Sequence, residues 1–376
     1  MAKNKRRIGL LTGGGDCPGL NAVIRAVAKT AKNDYDMEVV GFYDGYEGLI
    51  LNRYTSLNDS DVSGILTRGG TILGTSNRAD PFKYPVLQGD EYVYLDRTSQ
   101  CLLNFESLGL SALIAIGGDG TMAASAGLQE KGLPVVGVPK TIDNDLAGTD
   151  VTFGFDSALQ TATEAIDKIH TTAQSHHRVM IVEVMGRYAG WLALGSGLAG
   201  GGDIILIPEF PYEIDAICDQ VKLRNSLGKT FSIIVVGEGA KPKGGEMVVR
   251  RRIENSPDAI RLGGISYQVA AQIEGLINIE TRVTILGHLL RGGSPTAYDR
   301  ILATRLGVEA VHLAAGGETG RMVAVKGNDL SSVPLSEVAG KTRRITAGHP
   351  WVKAAESIGL CLGLPTGVPL EKSLST

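Results

Sequence analysis

Two apolar runs lie close together in the chain, and each ends in a cluster of glycine, hydroxyl and carboxylate residues. Ile114-Ala115-Ile116 runs into Gly117-Gly118-Asp119-Gly120-Thr121, and Pro134-Val135-Val136-Gly137-Val138 runs into Pro139-Lys140-Thr141-Ile142-Asp143-Asn144-Asp145. A short apolar run bounded by turn residues is a buried strand. Glycines at its end let backbone N–H groups approach an anion with no Cβ in the way. A carboxylate beside them, Asp119, can hold Mg2+ against phosphate oxygens. Asp143 and Asp145, one residue apart, add two more acids. A phosphate cradle, a metal and a base for the accepting hydroxyl are the parts that phosphoryl transfer requires.

The rest of the chain fits around such strands. Short apolar runs alternate with helix-period segments, the pattern of a parallel sheet covered by helices and so of an α/β fold. Strands are predicted at Arg7–Thr12, Glu38–Phe42, Ala112–Ile116, Pro134–Val138, Val179–Val184, Ile204–Ile207, Ser232–Val236, Val283–Leu286 and Met322–Val325. Leu20, Val23, Ile24, Val27 and Ala31 form the apolar face of one helix, and Asp156–His170 and Ile301–Ala314 have helical periodicity. At 376 residues the chain has room for two or three domains. A boundary is expected near Gly148–Phe155, with a return to the first lobe near Leu290–Pro295. We find no fixed repeat and no low-complexity tract.

Composition removes several classes of function. A formal net charge of −3 gives no field suited to nucleic acid or an anionic membrane. An anionic substrate must then be caught by local Arg, Lys and His clusters. Glycine, at 50 residues, is about twice its usual ~7% share, as expected of many strand-to-helix turns near phosphates. Cys17, Cys101, Cys218 and Cys361 lie far apart with no CxxC, and read as reduced thiols. Met1 to Arg7 is basic, but the apolar run after it breaks into glycines, so no signal peptide is expected. No stretch approaches the ~18 apolar residues of a membrane helix. These features lead us to expect a cytoplasmic enzyme.

Two further constellations carry chemistry. Gly13-Gly14-Gly15-Asp16-Cys17-Pro18-Gly19 sits between a strand and a helix. It reads either as a tight turn that needs glycine or as an opening to phosphate at a helix N-terminus. It is neither a Walker loop nor a GxGxxG fingerprint. The other is cationic: His176-His177-Arg178, Met185-Gly186-Arg187, Arg282 and Gly287-His288-Leu289-Leu290-Arg291-Gly292-Gly293. A lone arginine is usually a surface residue in a weak pair. These lie at ends of apolar runs or beside glycines, where phosphate-binding side chains project. His170 has no such context and reads as a helix C-terminal residue.

The segments LTGGGDCPGLNAVIR, YDGYEGL, RGGTILGTSNR, IGGDGT, PKTIDND, TFGFDSA, VEVMGRYAGWLA, GEGA and ILGHLLRGGSPTAYDRILATRLG closely resemble the 6-phosphofructokinase family, in order, from the first strand to about residue 312. The resemblance implies ATP-dependent phosphorylation of fructose 6-phosphate at its C1 hydroxyl, a step of glycolysis. It also implies two Rossmann-like three-layer lobes with mostly parallel sheets and the active site in the cleft between them. Residues 1–154 with about 290–341 would form the larger, nucleotide-binding lobe, and 155–289 with about 342–376 the smaller, sugar-phosphate-binding lobe. Gly14, Arg78 and Gly118, Asp119, Gly120 and Thr121 would bind the donor phosphates, with Asp119 and Asp145 on Mg2+. Asp143 would be the base, with Thr141 and Ile142 beside it, and Arg78 and Arg187 would neutralise the moving phosphoryl group. Met185, Gly186, Arg187 and Glu238 would line the sugar pocket, and His288 and Arg291 would hold the 6-phosphate. Arg178 and Arg282 would reach that phosphate from a neighbouring subunit, which implies a homodimer or homotetramer with shared active sites.

Two positions bear on the donor. Pyrophosphate-using members resemble GGDD at the second motif, where the extra Asp would occupy the place of the ATP α-phosphate. Here that position is Gly120, which favours ATP. Lys140 stands where common bacterial ATP enzymes have glycine and is typical of pyrophosphate users. The combination resembles the family's mixed group, in which ATP use is expected, because a carboxylate is needed to exclude ATP and a lysine excludes nothing. The alternative is a pyrophosphate-dependent phosphotransferase with the same acceptor. Arg25 matches an effector-site position and the loop at Lys229 matches in part, so allosteric control is not carried over. An NAD or lipid kinase would share only GGDGT.

Overall fold

In the computed structural model, which describes residues 5–89, 91–252, 260–365 and 370, the apolar runs become strands and the helix-period segments fold back over them. The chain opens with β1 (Arg7–Thr12), α1 (Leu20–Tyr35), β2 (Glu38–Phe42), α2 (Tyr46–Leu51) and β3 (Tyr54–Ser56). A hairpin of β4 (Tyr84–Gln88) and β5 (Glu91–Leu95) precedes α3 (Thr98–Ser107), β6 (Leu110–Gly117), α4 (Asp119–Glu130) and β7 (Val135–Pro139). The middle of the chain holds α5 (Phe155–His176), β8 (Val179–Val184), α6 (Trp191–Ala199), β9 (Ile204–Leu206), α7 (Ile214–Ser226) and β10 (Ser232–Gly237). The hairpin of β11 (Val249–Arg252) and β12 (Ile260–Leu262) then leads to α8 (Ile265–Ile277) and β13 (Thr281–Ile285). After a 3-10 turn at Gly287–Arg291 come α9 (Ala297–Gly316), β14 (Arg321–Lys326), β15 (Asp329–Pro334), α10 (Leu335–Val338) and α11 (Pro350–Ser357).

Two main sheets result. One has the order β15-β14-β7-β6-β1-β2-β3, parallel except at its two edge strands; the other has the order β13-β8-β10-β9 and is wholly parallel. In the first sheet the chain turns away on opposite sides of the β1–β6 pair. In the second, the helices that follow the neighbouring strands β8 and β10 lie on opposite faces, α6 on the shared core and α8 on the outer one. Crevices at such switch points, beyond the carboxyl ends of the strands, are where open α/β sheets bind ligands. The glycine motifs follow β1 and β6, and the Met185 and His288 motifs follow β8 and β13.

The period of two along each strand explains how the layers pack. Leu11, Leu113, Ala115 and Val135 face a core with Leu49, Phe105 and Leu128. Leu10, Ile114, Ile116 and Val136 point the other way into a core with Val23 of α1 and Leu306 of α9. That second core continues through Ile166 and Leu192 to Met180, Val182 and Val235 of the other sheet. The outer face of the smaller sheet, with Ile181 and Ile234, is closed by Ile217 and Val269 of α7 and α8. One apolar layer is therefore shared by both sheets.

The structure corrects the sequence reading at α5. This helix runs to His176 and ends at His177 in the left-handed region (φ 56°). His170 is consequently not a C-terminal residue but lies inside the helix. Its Nε2 is 2.6 Å from the Gly200 carbonyl oxygen, and its ring packs edge-on to Phe231. The backbone partner at the Gly200 turn and the burial of Ala173 hold the last turns that Thr171 and Thr172 disfavour. The hairpin β4–β5 and edge strand β15 also lay outside the predicted strands. All four cysteines are buried and free, and among the described residues no helix is long and apolar enough to cross a membrane.

One buried carboxylate ties the second sheet together. Helix α8 begins at Gly264, which has φ 91° and no side chain to cap it. Glu183 of β8, 2% exposed, supplies the acceptor instead: its oxygens take the N–H groups of Gly264 and Ser266 at 3.0 Å and the Ser266 hydroxyl. Glu183→Ala leaves those donors unpaired and is expected to cost about 2 kcal/mol or more, read as a lower urea midpoint; a midpoint within error of the parent chain would refute this role.

Candidate active site

A cavity of about 480 Å3 opens where the carboxyl ends of the two sheets face each other. Its wall brings together Gly14, Gly118, Asp119, Gly120 and Thr121 from the first sheet's turns, and Lys140, Thr141, Asp143 and Asp145 from the loop after β7. Arg187 and Arg291 line it from the second sheet's turns.

Backbone geometry makes the floor. Gly13 donates its N–H to the Ile116 carbonyl at 2.8 Å and Gly14 donates to Ser76 at 3.1 Å, which seats the first glycine turn beside the end of β6. Gly14 has φ 75°, a left-handed conformation natural to glycine. Gly118 begins α4, with Asp119 and Gly120 in its first turn and no side chain over the exposed N–H groups. A helix start of this kind favours an anion. A Cβ built at Gly120 meets nothing within 4 Å, so the space above that residue is open.

Three carboxylates face this floor. Asp143 is half-buried, with its Oδ1 shielded from solvent and without a hydrogen-bond partner among the described residues. Burial, and then the charge of Asp145, push its pKa up to about 7, although Arg291 and Lys140 pull the other way. Asp145 is also raised, mainly by burial, with relief from the Thr141 hydroxyl and a further rise from Asp119. Asp119 is raised by burial and partly relieved by the Gly340 N–H, which donates to its Oδ1 at 2.9 Å. Each acid is thus short of positive charge. Among the described residues no cluster of three or more His, Cys, Asp or Glu could hold a metal on its own. Asp119 and Asp145 instead offer the two carboxylates that suit Mg2+ when phosphate oxygens and water complete its shell.

The loop carrying Asp143 is held firmly. The Thr141 hydroxyl accepts the Asp143 N–H at 3.0 Å, and the Thr152 hydroxyl donates to the Thr141 carbonyl at 2.6 Å. Asn144 sits at φ 53°, with its Oδ1 accepting the Thr152 N–H at 3.0 Å. Lys140 is buried and donates to the Gly15 carbonyl; burial holds its pKa below the usual lysine range. Ile142, expected beside the substrate, has its side chain in the core shared by the two sheets rather than in the cavity wall.

On the opposite side, Met185, Gly186 and Arg187 follow β8, with Gly186 at φ 137°. Glu238 follows β10 and donates its N–H to the Val184 carbonyl at 2.9 Å. Burial and Glu183 raise its carboxyl pKa, while the Gly186 backbone, Arg187 and Arg291 lower it. The Arg187 guanidinium also lies 5.1 Å from the centre of the Tyr188 ring. Arg291 turns toward the glycine floor, donating to the Asp16 carbonyl at 3.1 Å, whereas His288 on the same turn is exposed.

Three arginines named from the sequence are outside this cavity wall. Arg78 is exposed, while its neighbours Asn77 and Ala79 line the cavity. Arg178 stands just before β8 and Arg282 near the start of β13, roughly 20 Å and roughly 10 Å from the carboxyl ends of those strands. Both are paired with Glu280, Arg178 at 2.7 Å. Tyr46, Tyr188 and Thr342 line the cavity without having been named. Tyr46 was within reach of the sequence, since it lies in the YDGYEGL segment. Thr342 comes from a tail that carries no local signal.

The comparisons agree with this geometry. The sequence pattern described as Phosphofructokinase matches residues 7–314. The chain is 53% identical over 362 residues to ATP-dependent 6-phosphofructokinase 2 of Clostridium perfringens, covering 96% of this chain and 99% of that protein. It is 52% identical to the ATP-dependent 6-phosphofructokinase of Chloroflexus aurantiacus, over 96% and 99% of the two chains. Among solved structures, phosphofructokinase from Saccharomyces cerevisiae is 32% identical with a TM-score of 0.74; the alignment covers 94% of this chain and 46% of the yeast chain, so the present chain spans about half its length. The pyrophosphate-dependent phosphofructokinase of Marinobacter aquaeolei shares the fold at 21% identity and a TM-score of 0.76, over 95% and 88% of the two chains. The motifs, the paired sheets and these relatives all lead to one assignment: the chain belongs to the phosphofructokinase family.

Proposed function

We propose that the chain transfers the γ-phosphoryl group of ATP to the C1 hydroxyl of fructose 6-phosphate, giving fructose 1,6-bisphosphate and ADP. The observation that carries this reading is the half-buried Asp143 carboxylate, which lines the same cavity as the glycine floor and leaves its Oδ1 unpartnered among the described residues. A carboxylate so placed can accept the proton of an attacking alcohol. Gly14 and the Gly118–Thr121 turn would cradle the donor phosphates, and Thr141, Arg187 and Arg291 would steady the group in flight. Arg78, beside the cavity wall, would reach the donor from outside it. A magnesium ion held by Asp119 and Asp145 would offset charge on the phosphates. Met185, Gly186, Glu238 and His288 would take the sugar phosphate. Positioning and charge stabilisation then supply the rate, since phosphoryl transfer asks little covalent chemistry of the protein.

Three supports favour ATP over pyrophosphate. The space above Gly120 is open, the Lys140 amine is tied to the Gly15 carbonyl and blocks nothing there, and relatives near 50% identity are named for ATP. Placement of Arg178 and Arg282 at the far ends of their strands supports a homo-oligomer in which they complete a neighbour's 6-phosphate site. We further divide the chain into a donor lobe of residues 1–154 with about 290–341 and a sugar lobe of 155–289 with about 342–376, working in the cytoplasm.

Asp143→Ser is expected to lower kcat by about a thousandfold, within the range for losing a general base, with fructose 6-phosphate still bound in a titration; turnover within tenfold of the parent rules Asp143 out as base. Because Asp143 serves only when ionised and its pKa is raised to about 7, kcat/KM should fall as pH drops below about 7. A profile flat down to pH 5 contradicts this. In coupled assays with one donor at a time, turnover is expected with ATP, and Gly120→Asp should raise the ATP KM at least tenfold through a carboxylate set against the α-phosphate. Turnover with pyrophosphate alone reverses the donor assignment.

A further inference from the structure

We propose that Arg343 is a positioning residue for the transfer step, fixing the Asp143–Asp145 loop to the segment that carries Arg187. This rests on the reading of Asp143 as the base. Arg343 lies in a strap, residues 340–345, that follows α10 and contributes Thr342 to the cavity wall. At its start the Gly340 N–H holds Asp119 at 2.9 Å. Thr342 pairs with Leu146 in an antiparallel bridge and lines the cavity. The Arg343 N–H then donates to the Asp145 carbonyl at 2.7 Å. Its guanidinium donates to the Asn144 carbonyl through Nη2 at 2.8 Å and Nε at 3.2 Å. One residue therefore grips two successive carbonyls, that of Asn144 between the two acids and that of Asp145 itself.

The other side of the same guanidinium faces the second sheet. It lies 4.2 Å from the centre of the Trp191 ring, and the Trp191 indole N–H returns a bond to the Arg343 carbonyl at 3.0 Å. Trp191 is buried and begins α6, four residues after Arg187. Two residues on, the Ile345 N–H donates to Glu209 at 3.0 Å, and that carboxylate also takes the Gly190 N–H at 3.1 Å. Asn144 has a left-handed backbone, which asparagine adopts more readily than most non-glycine residues. Thr152 holds its side chain and Arg343 its carbonyl. Charged donors on a carbonyl are the stronger kind of hydrogen bond, and a base displaced by about 1 Å can lose about a hundredfold in rate.

The test compares Arg343→Met, which keeps bulk over Trp191 and donates nothing, with Arg343→Lys, which keeps a charge and a donor. We expect Arg343→Met to lower kcat at least about tenfold, with both KM values within about threefold and the thermal midpoint little changed, and Arg343→Lys to recover part of the loss. Hydrogen exchange of the ligand-free chain, which does not depend on the reaction catalysed, should show residues 141–148 exchanging faster in Arg343→Met. Parental exchange in that segment overturns the proposal, as does kcat within about twofold of the parent, or a rise in KM with kcat unchanged. If Arg343→Met does not fold, Arg343→Lys decides by the same measurements. A parent chain that fails to phosphorylate fructose 6-phosphate would sink the functional reading, while the exchange comparison still decides this one.

Discussion

Desolvation of three acids gathered at one cavity is the constraint around which this molecule is arranged. Asp119, Asp145 and Asp143 are each pushed toward protonation by burial, and the pairs Asp143–Asp145 and Asp145–Asp119 add like charge. A chain selected for stability alone would not gather them, because buried charge costs free energy unless it is paired. The arrangement makes sense if a cation and a substrate hydroxyl arrive to relieve it. The surrounding structure keeps the acids in place meanwhile: Thr141 and Thr152 beneath the loop, Gly340 on Asp119, and cations at Lys140 and Arg291 close enough to be felt.

Much of this was legible in the chain because glycine, carboxylate and apolar runs follow one another within a few residues. The strands at Arg7–Thr12 and Val179–Val184 could be read directly, and the one predicted at Pro134–Val138 to within a residue of β7, since strands covered by helices on both faces are nearly all apolar. So could the grouping of Gly118 to Thr121 with Asp143 and Asp145, whose parent strands are neighbours in both sequence and sheet. The hairpin β4–β5 was not, although Tyr92-Val93-Tyr94-Leu95 is apolar; it stands apart from the two main sheets and most of its residues are exposed. The end of α5 was misread since tertiary partners outweighed the local preference of Thr171 and Thr172. Thr342 was invisible for a different reason: it reaches the cavity from some two hundred residues beyond Asp143 in the sequence, through backbone pairing that any side chain permits.

The two ends of the smaller sheet divide their labour. At the carboxyl ends of β8 and β13 stand Arg187 and Arg291, directed into the cavity. At the starts of the same strands Arg178 and Arg282 converge on Glu280. A strand is too long for one residue to serve both ends, so the register of β8 against β13 fixes which basic groups can meet a ligand within one chain.

The apolar layer that both sheets press upon carries a mechanical implication. Helices α1, α5, α6 and α9 contribute to it, and an interior packed at crystal-like density resists opening. The sheets cannot swing apart like the halves of a clamshell without tearing that layer. Adjustment to an incoming ligand must take the form of shear, a slight sliding of side chains over one another, with larger excursions left to the loops at the rim.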